Sequence, residues 1–376
     1  MRKYVFKKRW KRVLAAVFDA AGVFLYAPFK LFGKKPGSAD KILVARLDQA
    51  GDMVQALPFL DALRRKYPGA RITVFCARET EFLARSSPAV DETISFESSW
   101  FYPEKRFSLK EAASVLKKMR REKYGFAFDL RGDARNIFFL KLAGASRITG
   151  YGCAGGGFFL DGEKEYDREE HEIDKNLKLI GEKAPDVMRM NFHTGEKERE
   201  EAAKFLEGAG KKRIVIHPFT RARSKMWGIN KFGVLAGMIA DAAKDAAIFI
   251  IGGREDGAGA TAFEKIKNVR VCAGKTGFGA SVEIIKQSSV FVGCDSGPQY
   301  FAAYSGVKTC VIYGYTSNSA RWRPKVEAEN FIGITAPVDC GPCELDECAQ
   351  SSHRCMEMIT PEAVFGKIEP WLKGPG

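Results

Sequence analysis

The chain has 376 residues, of which 45% are hydrophobic and 12% aromatic, so it can bury a full core and is long enough for two domains. Its formal net charge of +14 would suggest a polyanionic partner if it were evenly spread, but residues 1–35 carry ten basic residues against Asp19 alone and so hold +9 of it. The rest of the chain is only mildly basic, which argues against nucleic-acid binding.

The basic N-terminal segment, residues 1–35, also contains an apolar stretch over residues 13–32. Four residues interrupt that stretch: Asp19, Gly22, Pro28 and Lys30. The interruptions disfavour a membrane span, and the residues that follow do not form a signal-peptide cleavage site. We predict a retained amphipathic anchor, peripheral on the anionic inner face of the cytoplasmic membrane. Its inserting aromatic residues would be Trp10, Phe18, Phe24 and Phe29. A helix packed on the protein body and a single span are the alternatives.

From Lys41 onward, short β-branched runs alternate with longer amphipathic stretches, a pattern typical of a parallel, doubly wound sheet. In the first half, strands are predicted over residues 42–47, 71–76 and 126–130. Helices are predicted over 52–67, 79–86, 109–122, 136–143 and 173–182. A charged loop with consecutive glycines is predicted over 150–168. Together these elements predict an N-terminal domain over residues 38–193.

A second alternation of the same kind predicts a C-terminal domain over residues 194–376. Its predicted strands cover 214–217, 247–251, 269–272, 290–293 and 309–313, and a helix is predicted over 231–243. The predicted fold class is therefore α/β, with two Rossmann-like, doubly wound parallel-sheet domains. Because such sheets bind ligands at the carboxyl ends of their strands, we expect the site at strand-to-helix turns that face a central cleft.

The first strand-to-helix turn, residues 46–52, places Asp52 where the strand becomes a helix. On spacing alone Asp52 fits a helix cap, because its carboxylate could accept from free N–H groups and suits the positive helix end. The turn has no GxGxxG pattern, which a dinucleotide pyrophosphate needs in order to approach the first helix closely. A nicotinamide-dependent dehydrogenase is therefore disfavoured.

Two turns of the second half combine residue types that suit a diphosphate. The turn after residue 217 contains Thr220 and Lys225, which supply a hydroxyl donor and a positive charge. The turn after residue 293 contains Asp295, Ser296 and Gly297, and the N–H groups near the last two could meet a phosphate at the start of a helix. A solvated basic loop and ordinary helix capping are the alternatives for these turns.

Three stretches together resemble the family of bacterial lipopolysaccharide heptosyltransferases. They are KILVARLDQAGDMVQALPFLDALRRKYPGARITVF at 41–75, VIHPFTRARSKMW at 215–227 and VFVGCDSGPQYFAAYSGVKTCVIYGYT at 290–316. The resemblance extends over about residues 41–370. It implies the GT-B architecture and an inverting glycosyltransferase that uses neither a metal nor another cofactor. The expected reaction moves a sugar, heptose from ADP-heptose, onto a lipid-linked saccharide such as the lipopolysaccharide core.

The resemblance also implies roles for individual residues, beginning with Asp52 as the general base on the acceptor hydroxyl. The donor would be bound by Thr220, Lys225, Glu255, Asp295, Ser296, Gly297 and Tyr300. Glu255 would contact the ribose, with the adjacent Asp256 as an alternative. Two positions depart from the family pattern: Tyr300 stands where His is usual, and Asp48 stands where Gly is commonest. Donor or acceptor choice could differ accordingly.

Acceptor binding is expected in the first domain, at Asp48, Arg131, Arg135 and Arg147. The three arginines lie near predicted strand or helix ends and could meet phosphates or acidic sugars. A membrane-bound acceptor would also explain the basic anchor. The rival function from another class is a noncatalytic, membrane-attached nucleotide-sugar sensor or scaffold.

The nine cysteines fall into two groups. Five are scattered singly through the chain, which is typical of a protein from a reducing compartment. The other four lie near the C-terminus, within a Cys-rich segment over residues 340–355: Cys340, Cys343, Cys348 and Cys355. Only the first two have the CxxC spacing of a zinc knuckle. A reduced cluster without metal is therefore predicted, with bound zinc as the alternative.

Overall fold

The computed structural model describes residues 3–6, 8–31, 37–102, 106–316 and 319–373, and for 27–31 and 319 the backbone alone. Parts of the predicted anchor lie outside the described residues, namely Arg2, Lys7, Lys34, Lys35 and the side chain of Phe29. The chain forms two compact units, Met1–Ala184 and Pro185–Gly376, called unit 1 and unit 2 below.

Unit 1 is built on a six-stranded sheet. Its strands are β1 (Lys41–Arg46), β2 (Arg71–Ala77), β3 (Glu92–Phe96), β4 (Phe126–Asp129), β5 (Arg147–Gly150) and β6 (Gly162–Glu163). All pair in parallel, in the order β3-β2-β1-β4-β5-β6. The central strands are nearly continuous apolar runs because a parallel sheet is covered on both faces.

The described part of unit 1 contains six α-helices. They are α1 (Arg9–Leu31), α2 (Ala50–Lys66), α3 (Glu81–Ser86), α4 (Leu109–Glu122), α5 (Ala134–Leu142) and α6 (Glu172–Lys178). Local signals set their ends: the Ser108 hydroxyl accepts from Glu111 N–H at the start of α4, and Lys123 ends that helix in the left-handed conformation with φ 55°. Among the described residues, no helix is both long enough and apolar enough to cross a membrane.

Unit 2 repeats this plan. Its strands are β7 (Arg213–His217), β8 (Ala247–Ile250), β9 (Val269–Val271), β10 (Val290–Cys294), β11 (Lys308–Gly314) and β12 (Phe331–Thr335). They are also all parallel, in the order β12-β11-β10-β7-β8-β9. The α/β fold class with two doubly wound parallel sheets, as in GT-B enzymes, is thus confirmed.

The helices of unit 2 include one C-terminal helix that packs on the first helix after β7. In chain order they are α7 (Glu196–Leu206), α8 (Ile229–Ala242), α9 (Gly257–Ala260), α10 (Phe278–Lys286), α11 (Pro298–Tyr304), α12 (Ser319–Trp322), α13 (Arg354–Glu357) and α14 (Pro361–Lys373). Trp227 joins these regions, since its ring packs edge-on against Phe232 of α8 and its indole N–H donates to the Ile359 carbonyl at 2.8 Å. Packing of α14 on α8 thereby supports the turn that follows β7.

The boundary between the two units lies after Ala184, nine residues before the predicted domain boundary at residue 193. The intervening residues pack on unit 2. The Met190 N–H donates to the Tyr304 carbonyl at 2.9 Å, and the Phe192 ring lies 4.7 Å from that of Phe301. These contacts place the linker residues with unit 2, which composition alone did not indicate.

Strand order fixes where a ligand can bind in each unit. In unit 1 the chain moves outward from β1 through β2 to β3 and then returns to place β4 on the other side of β1. Unit 2 does the same with β10 on the other side of β7. Each sheet therefore has a topological switch point, between β1 and β4 or between β7 and β10, where adjacent turns diverge and leave room for a ligand.

Candidate active site

The turn after β1 is organised around a fully buried arginine, Arg46, the last residue of that strand. Its Nε lies 2.8 Å from Asp48 Oδ1, and its Nη2 lies 3.0 Å from Asp52 Oδ1 and 3.3 Å from Glu172 Oε1. Asp52 is the third residue of α2, not the N-cap, and its Oδ2 accepts from Gln49 N–H at a long 3.4 Å. Asp52 therefore combines a weak capping contact with a short ion pair.

Two further cations complete this group, called the Arg46 cluster: Arg46, Asp48, Asp52, Arg131, Glu172 and Lys175. Arg131 Nη1 lies 3.4 Å from Asp48 Oδ2 and 4.0 Å from Asp52 Oδ1. The buried Lys175 Nζ lies 2.8 Å from Glu172 Oε2. Three cations thus face three carboxylates, and Arg46 is the partner that all three acids share. Removing Arg46 would therefore be costly, because it would weaken the pairing of several buried charges at once.

Burial and charge act against each other within the Arg46 cluster. Burial raises the pKa of Asp48 to about 7, although the Arg46 and Arg131 guanidinium groups favour its charged form. Burial alone would lower the pKa of Arg46, but the surrounding carboxylates outweigh it and raise that pKa. The Asp52 side chain is 17% exposed, so of the two aspartates it is the one that solvent or a substrate reaches.

The turn after β4 presents two arginines beside aromatic rings. The Arg135 guanidinium lies 5.4 Å from the Trp100 ring and 5.7 Å from the Phe101 ring, and the Arg131 guanidinium lies 5.7 Å from Phe101. Their side chains are 53% and 37% exposed. The rings pack against the guanidinium groups by cation–π attraction, and Arg135 also donates from Nε and Nη2 to the Asp133 carboxylate at 2.8 and 2.6 Å. An anion could bind only to the exposed N–H groups that these contacts leave.

Arg147 stands apart from these arginines. It is the first residue of β5 and pairs with Phe126, the first residue of β4. In a parallel sheet this places Arg147 at the amino ends of the strands, whereas Arg131 and Asp52 lie at the carboxyl ends. The structure does not bring Arg147 to the Arg46 cluster.

Asp129, the last residue of β4, holds the turn that carries Arg131 through hydrogen bonds from its backbone. It is fully buried, and its Oδ2 accepts from Gly132 N–H at 2.6 Å and from Asp133 N–H at 3.2 Å. Its Oδ1 accepts from Asn136 Nδ2 at 3.2 Å. Burial, assisted by the Asp133 charge, raises the pKa of Asp129 to about 7 despite these hydrogen bonds.

Asp129 gives a pH dependence of stability. Because its folded-state pKa lies above that of an unfolded Asp, it stabilises the fold below about pH 4, and that stability is lost as pH rises through 7. The unfolding free energy of the wild type is expected to fall between pH 5 and 8. Asp129→Asn should make that fall smaller by about 3 kcal/mol, measured by urea denaturation at each pH. Asp245→Asn, at a largely exposed site, is the control. Equal falls in wild type and Asp129→Asn would contradict the assignment.

In unit 2, the turns after β7 and β10 are joined by an ion pair. Lys225 Nζ lies 2.6 Å from Asp295 Oδ2. The other carboxylate oxygen accepts from Gln299 Nε2 at 2.8 Å, and the Gln299 carbonyl oxygen accepts from the Tyr313 hydroxyl at 2.9 Å. Asp295 is buried whereas the Lys225 side chain is 27% exposed. Asp295 thus fixes the position of an ammonium group that solvent still reaches.

A second contact joins the same two turns. Ser296 Oγ lies 3.0 Å from Nδ1 of His217, the last residue of β7. Burial lowers the pKa of His217 to about 4, so the imidazole is neutral at pH 7. Thr220 follows three residues later and is half-buried, and Gly297 directly precedes α11. The donor-side residues predicted from these turns therefore lie at one switch point of one sheet.

The remaining predicted donor residues have different surroundings. Asp256 Oδ2 accepts from Gly253 N–H at 2.8 Å, whereas the adjacent Glu255 is exposed. Tyr300 is buried on α11, where its hydroxyl donates to the Trp322 carbonyl at 3.0 Å and its ring stacks on Tyr304. Of the two acids, Glu255 is thus the one placed to meet a ligand, and Tyr300 is built into the packing of unit 2.

The Cys-rich segment braces the turn that carries Lys225. Ser224 N–H donates to the Asp346 carbonyl at 2.9 Å, and its hydroxyl donates to the Leu345 carbonyl. Cys355 is buried in the unit 2 core, and its burial, together with the three nearby thiols, raises its pKa. Among the described residues, no group of three or more His, Cys, Asp or Glu side chains is arranged to hold a metal ion.

Several residues of these sites were not among the predicted ones, and they include Arg46, Glu172, Lys175 and His217. Arg46 had a signal in the sequence, since a cation at the end of an apolar strand is buried and needs acidic partners. His217 was visible at the end of β7 but had no assigned partner. Glu172 lies 126 residues from Arg46 along the chain, and no local pattern connects the two.

A family model for glycosyltransferase family 9 (heptosyltransferase) matches residues 112–352. Among solved structures, the chain is similar to the glycosyl transferase family 9 protein from Veillonella parvula DSM 2008, with 18% identity, 90% of this chain and 99% of that chain covered, and a TM-score of 0.76. Escherichia coli ADP-heptose lps heptosyltransferase II is 19% identical, with 88% of this chain and 98% of that chain covered and a TM-score of 0.71. E. coli heptosyltransferase WaaC with ADP is 16% identical, with 88% of this chain and 99% of that chain covered and a TM-score of 0.67. No curated protein sequence matches the chain. At these identities the structural matches establish the fold.

Proposed function

The chain belongs to glycosyltransferase family 9, and from this premise we propose that it transfers heptose from ADP-heptose to a lipid-linked saccharide such as the lipopolysaccharide core. The family model spans well over half of the chain, and its members are glycosyltransferases. ADP-heptose as the donor is supported by the names of two relatives, an E. coli ADP-heptose lps heptosyltransferase and an E. coli heptosyltransferase solved with ADP.

The observation that carries the proposal is the position of Asp52. Its carboxylate lies at the carboxyl end of β1, beside the switch point of unit 1, and Arg46 orients it from below at 3.0 Å. In the proposed reaction Asp52 takes the proton of the acceptor hydroxyl. The hydroxyl oxygen bonds to the anomeric carbon as the bond to the diphosphate oxygen breaks on the opposite face. The sugar configuration therefore inverts, and the diphosphate leaves with the bonding electrons.

Donor binding is assigned to unit 2. Lys225 would neutralise the leaving diphosphate, held in place by Asp295, and the Thr220 hydroxyl and the N–H groups near Ser296 and Gly297 would donate to its oxygens. In other glycosyltransferases a divalent cation neutralises the charge on the leaving diphosphate. Because these groups would do the same here, we propose that transfer needs no metal. The donor ribose would contact Glu255, since the neighbouring Asp256 is used within its own turn. Tyr300, which is buried within unit 2, would lie beside the donor.

Acceptor binding is assigned to Arg131 and Arg135, whose exposed guanidinium groups suit a phosphate or an acidic sugar. Asp48 would act through Arg131, because its own carboxylate is buried between two arginines. Arg147 would need an acceptor that extends to the opposite edge of the sheet, so it contributes least to this proposal.

We place the enzyme as a peripheral protein on the inner face of the cytoplasmic membrane. Helix α1 leaves a row of large apolar side chains exposed: Trp10, Val13, Leu14, Val17, Phe18, Val23, Phe24 and Leu25. Basic residues at its amino end, Lys8, Arg9, Lys11 and Arg12, are likewise exposed or half-buried. Apolar insertion combined with attraction to anionic headgroups is the usual basis of interfacial helix binding.

Membrane binding is predicted to depend on both charge and apolar surface. The protein is expected to float with vesicles that contain anionic lipid at low salt, less at high salt, and not with neutral vesicles. Phe24→Ser with Leu25→Ser should abolish flotation, whereas Val234→Ser, which changes an exposed apolar residue of unit 2, should not. Unchanged flotation of the α1 variant would remove the anchor from the proposal.

The donor and the reaction are tested together. ADP-heptose at 100 times its dissociation constant is expected to stabilise the protein by about 3 kcal/mol, measured as a thermal shift. UDP- and GDP-sugars at the same concentration should give smaller shifts. Transfer of labelled heptose to a lipid-linked envelope saccharide should proceed at the same rate with EDTA. A larger shift with another nucleotide-sugar would reassign the donor. Activity lost with EDTA and restored by a metal would overturn the metal-free mechanism.

A further inference from the structure

Helix α1 has two opposite faces, and one of them is packed on unit 1. Ala15, Asp19, Gly22 and Tyr26 are spaced four, three and four residues apart, so they form one stripe on the helix. Ala15 and Asp19 are buried. We call these four residues the docked stripe. The exposed apolar side chains centre on the other side of the helix, and Phe24 is 82% exposed.

The docked stripe makes specific contacts with a glycine-containing loop, residues 152–159. Asp19 Oδ1 accepts from Gly156 N–H at 2.7 Å, and its Oδ2 accepts from the Tyr4 hydroxyl at 3.0 Å. Gly22 lies against the Phe158 ring so closely that an added Cβ would come within 2.2 Å of a ring carbon. A buried carboxylate that accepts two hydrogen bonds is a stronger attachment than apolar contact alone.

The same loop packs on the turn that carries Arg131. Ala154 N–H donates to the Gly132 carbonyl at 3.1 Å, and a Cβ on Gly156 would lie 3.3 Å from Ala134 Cα. Gly156 has φ 82°, a conformation that favours glycine. One layer of loop therefore separates α1 from the acceptor turn after β4, whose Arg131 is paired with Asp48 at 3.4 Å.

We infer that α1 is a positioning element of the acceptor site as well as a membrane anchor. The docked stripe holds the turn after β4 from one side while the opposite face lies in the bilayer surface. One helix, about 10 Å across, and one layer of loop then separate the turn that carries Arg131 from the headgroups. The acceptor that fits is a saccharide whose reacting sugar lies close to its lipid. This inference rests on the proposed function.

The test compares variants of the two faces in the full-length protein. Asp19→Ala and, separately, Gly22→Leu disrupt the docked stripe, and Asp19→Asn is the matched control because its amide oxygen can still accept from Gly156 N–H. Phe24→Ser with Leu25→Ser changes only the outer face. Each protein is assayed for hydrogen exchange, and the docked-stripe variants also for transfer to a lipid-free, water-soluble form of the acceptor saccharide.

If α1 positions the acceptor site, both docked-stripe variants raise the acceptor KM for the soluble saccharide about fivefold, a typical size for coupling through packed contacts, with the donor KM unchanged. Their amides over residues 131–136 exchange faster, while those of unit 2 keep their wild-type rates. Asp19→Asn and the outer-face variant keep wild-type exchange at 131–136. Wild-type acceptor KM and exchange in both docked-stripe variants would overturn the inference and leave α1 a tether.

Hydrogen exchange keeps this result separate from the proposed function. If wild type transfers no sugar to any acceptor, the proposed function fails, but faster exchange at residues 131–136 in the docked-stripe variants still supports the positioning contact. If wild type transfers sugar and the docked-stripe variants show neither change, only the positioning role of α1 fails.

Discussion

Asp52→Asn is expected to abolish sugar transfer while the protein stays folded and keeps its affinity for the donor. The amide matches the carboxylate in shape, and its oxygen can still accept from Gln49 N–H, so the contribution of Asp52 to the start of α2 is retained. It cannot take a proton from the acceptor hydroxyl, and loss of a general base lowers rates by about 10² to 10⁴-fold. The measurement is kcat with saturating donor and acceptor.

Two comparisons separate chemistry from structure in this experiment. Asp61→Asn makes the same change at an exposed position of the same helix and should leave kcat unchanged. Arg46 keeps Asp48 and Glu172 as partners when Asp52 loses its charge, so the melting temperature should fall only slightly. A kcat within about tenfold of wild type would limit Asp52 to orientation and helix capping, and the base would have to be sought elsewhere.

How much of the fold the sequence could predict depended on burial. Central strands such as β1 and β10 are covered on both faces and are apolar runs, so their pattern was clear. The strands that were not predicted give weaker signals. β3, β6 and β12 lie at sheet edges and β5 lies next to one, and β6 has only two residues, although the edge strand β9 was predicted. Edge and very short strands carry fewer apolar residues, so periodicity alone does not separate them from loops.

The site divides in the same way between what is local and what is distant in sequence. The turns with Asp52, Lys225 and Asp295 could be found because polar residues directly follow apolar strands, and parallel strands bring such turns to one edge. Their partners could not be found. Glu172 reaches Arg46 only because α6 packs on α2. Likewise, Asp48 could be assigned to the acceptor from sequence, but its burial between arginines is a tertiary property.

Both units use one physical arrangement at their switch points, a buried acid that holds a cation which is itself partly exposed. In unit 1 the pair is Asp48 with Arg131, and in unit 2 it is Asp295 with Lys225. Each acid is buried, so in the proposed function it would act on the ligand through the cation that it positions. Replacing either cation is therefore expected to remove a proposed ligand contact and also an ion-pair partner of a buried carboxylate, and an experiment must distinguish these two effects.

Lys225→Met is expected to lower kcat/KM for the donor by about 10² to 10³-fold, the usual cost of removing one group that stabilises a leaving oxyanion. Lys225 is one of three cations in the turn after β7, with Arg221 and Arg223, and its Nζ lies 2.6 Å from Asp295 Oδ2 across the switch point. The matched control is Lys212→Met, which removes one charge just before the amino end of β7. Steady-state kinetics with varied ADP-heptose provide the measurement.

Loss of stability could imitate this result, because Lys225→Met removes the cation that lies 2.6 Å from the buried Asp295 carboxylate. Breaking a buried ion pair by removing one partner costs about 3–5 kcal/mol. The double variant Lys225→Met, Asp295→Asn removes that charge and should recover the melting temperature without recovering kcat/KM. Asp295→Asn alone keeps the ammonium and should lose less activity than the double variant. If the double variant regains wild-type kcat/KM, Lys225 stabilises the turn and another group neutralises the diphosphate.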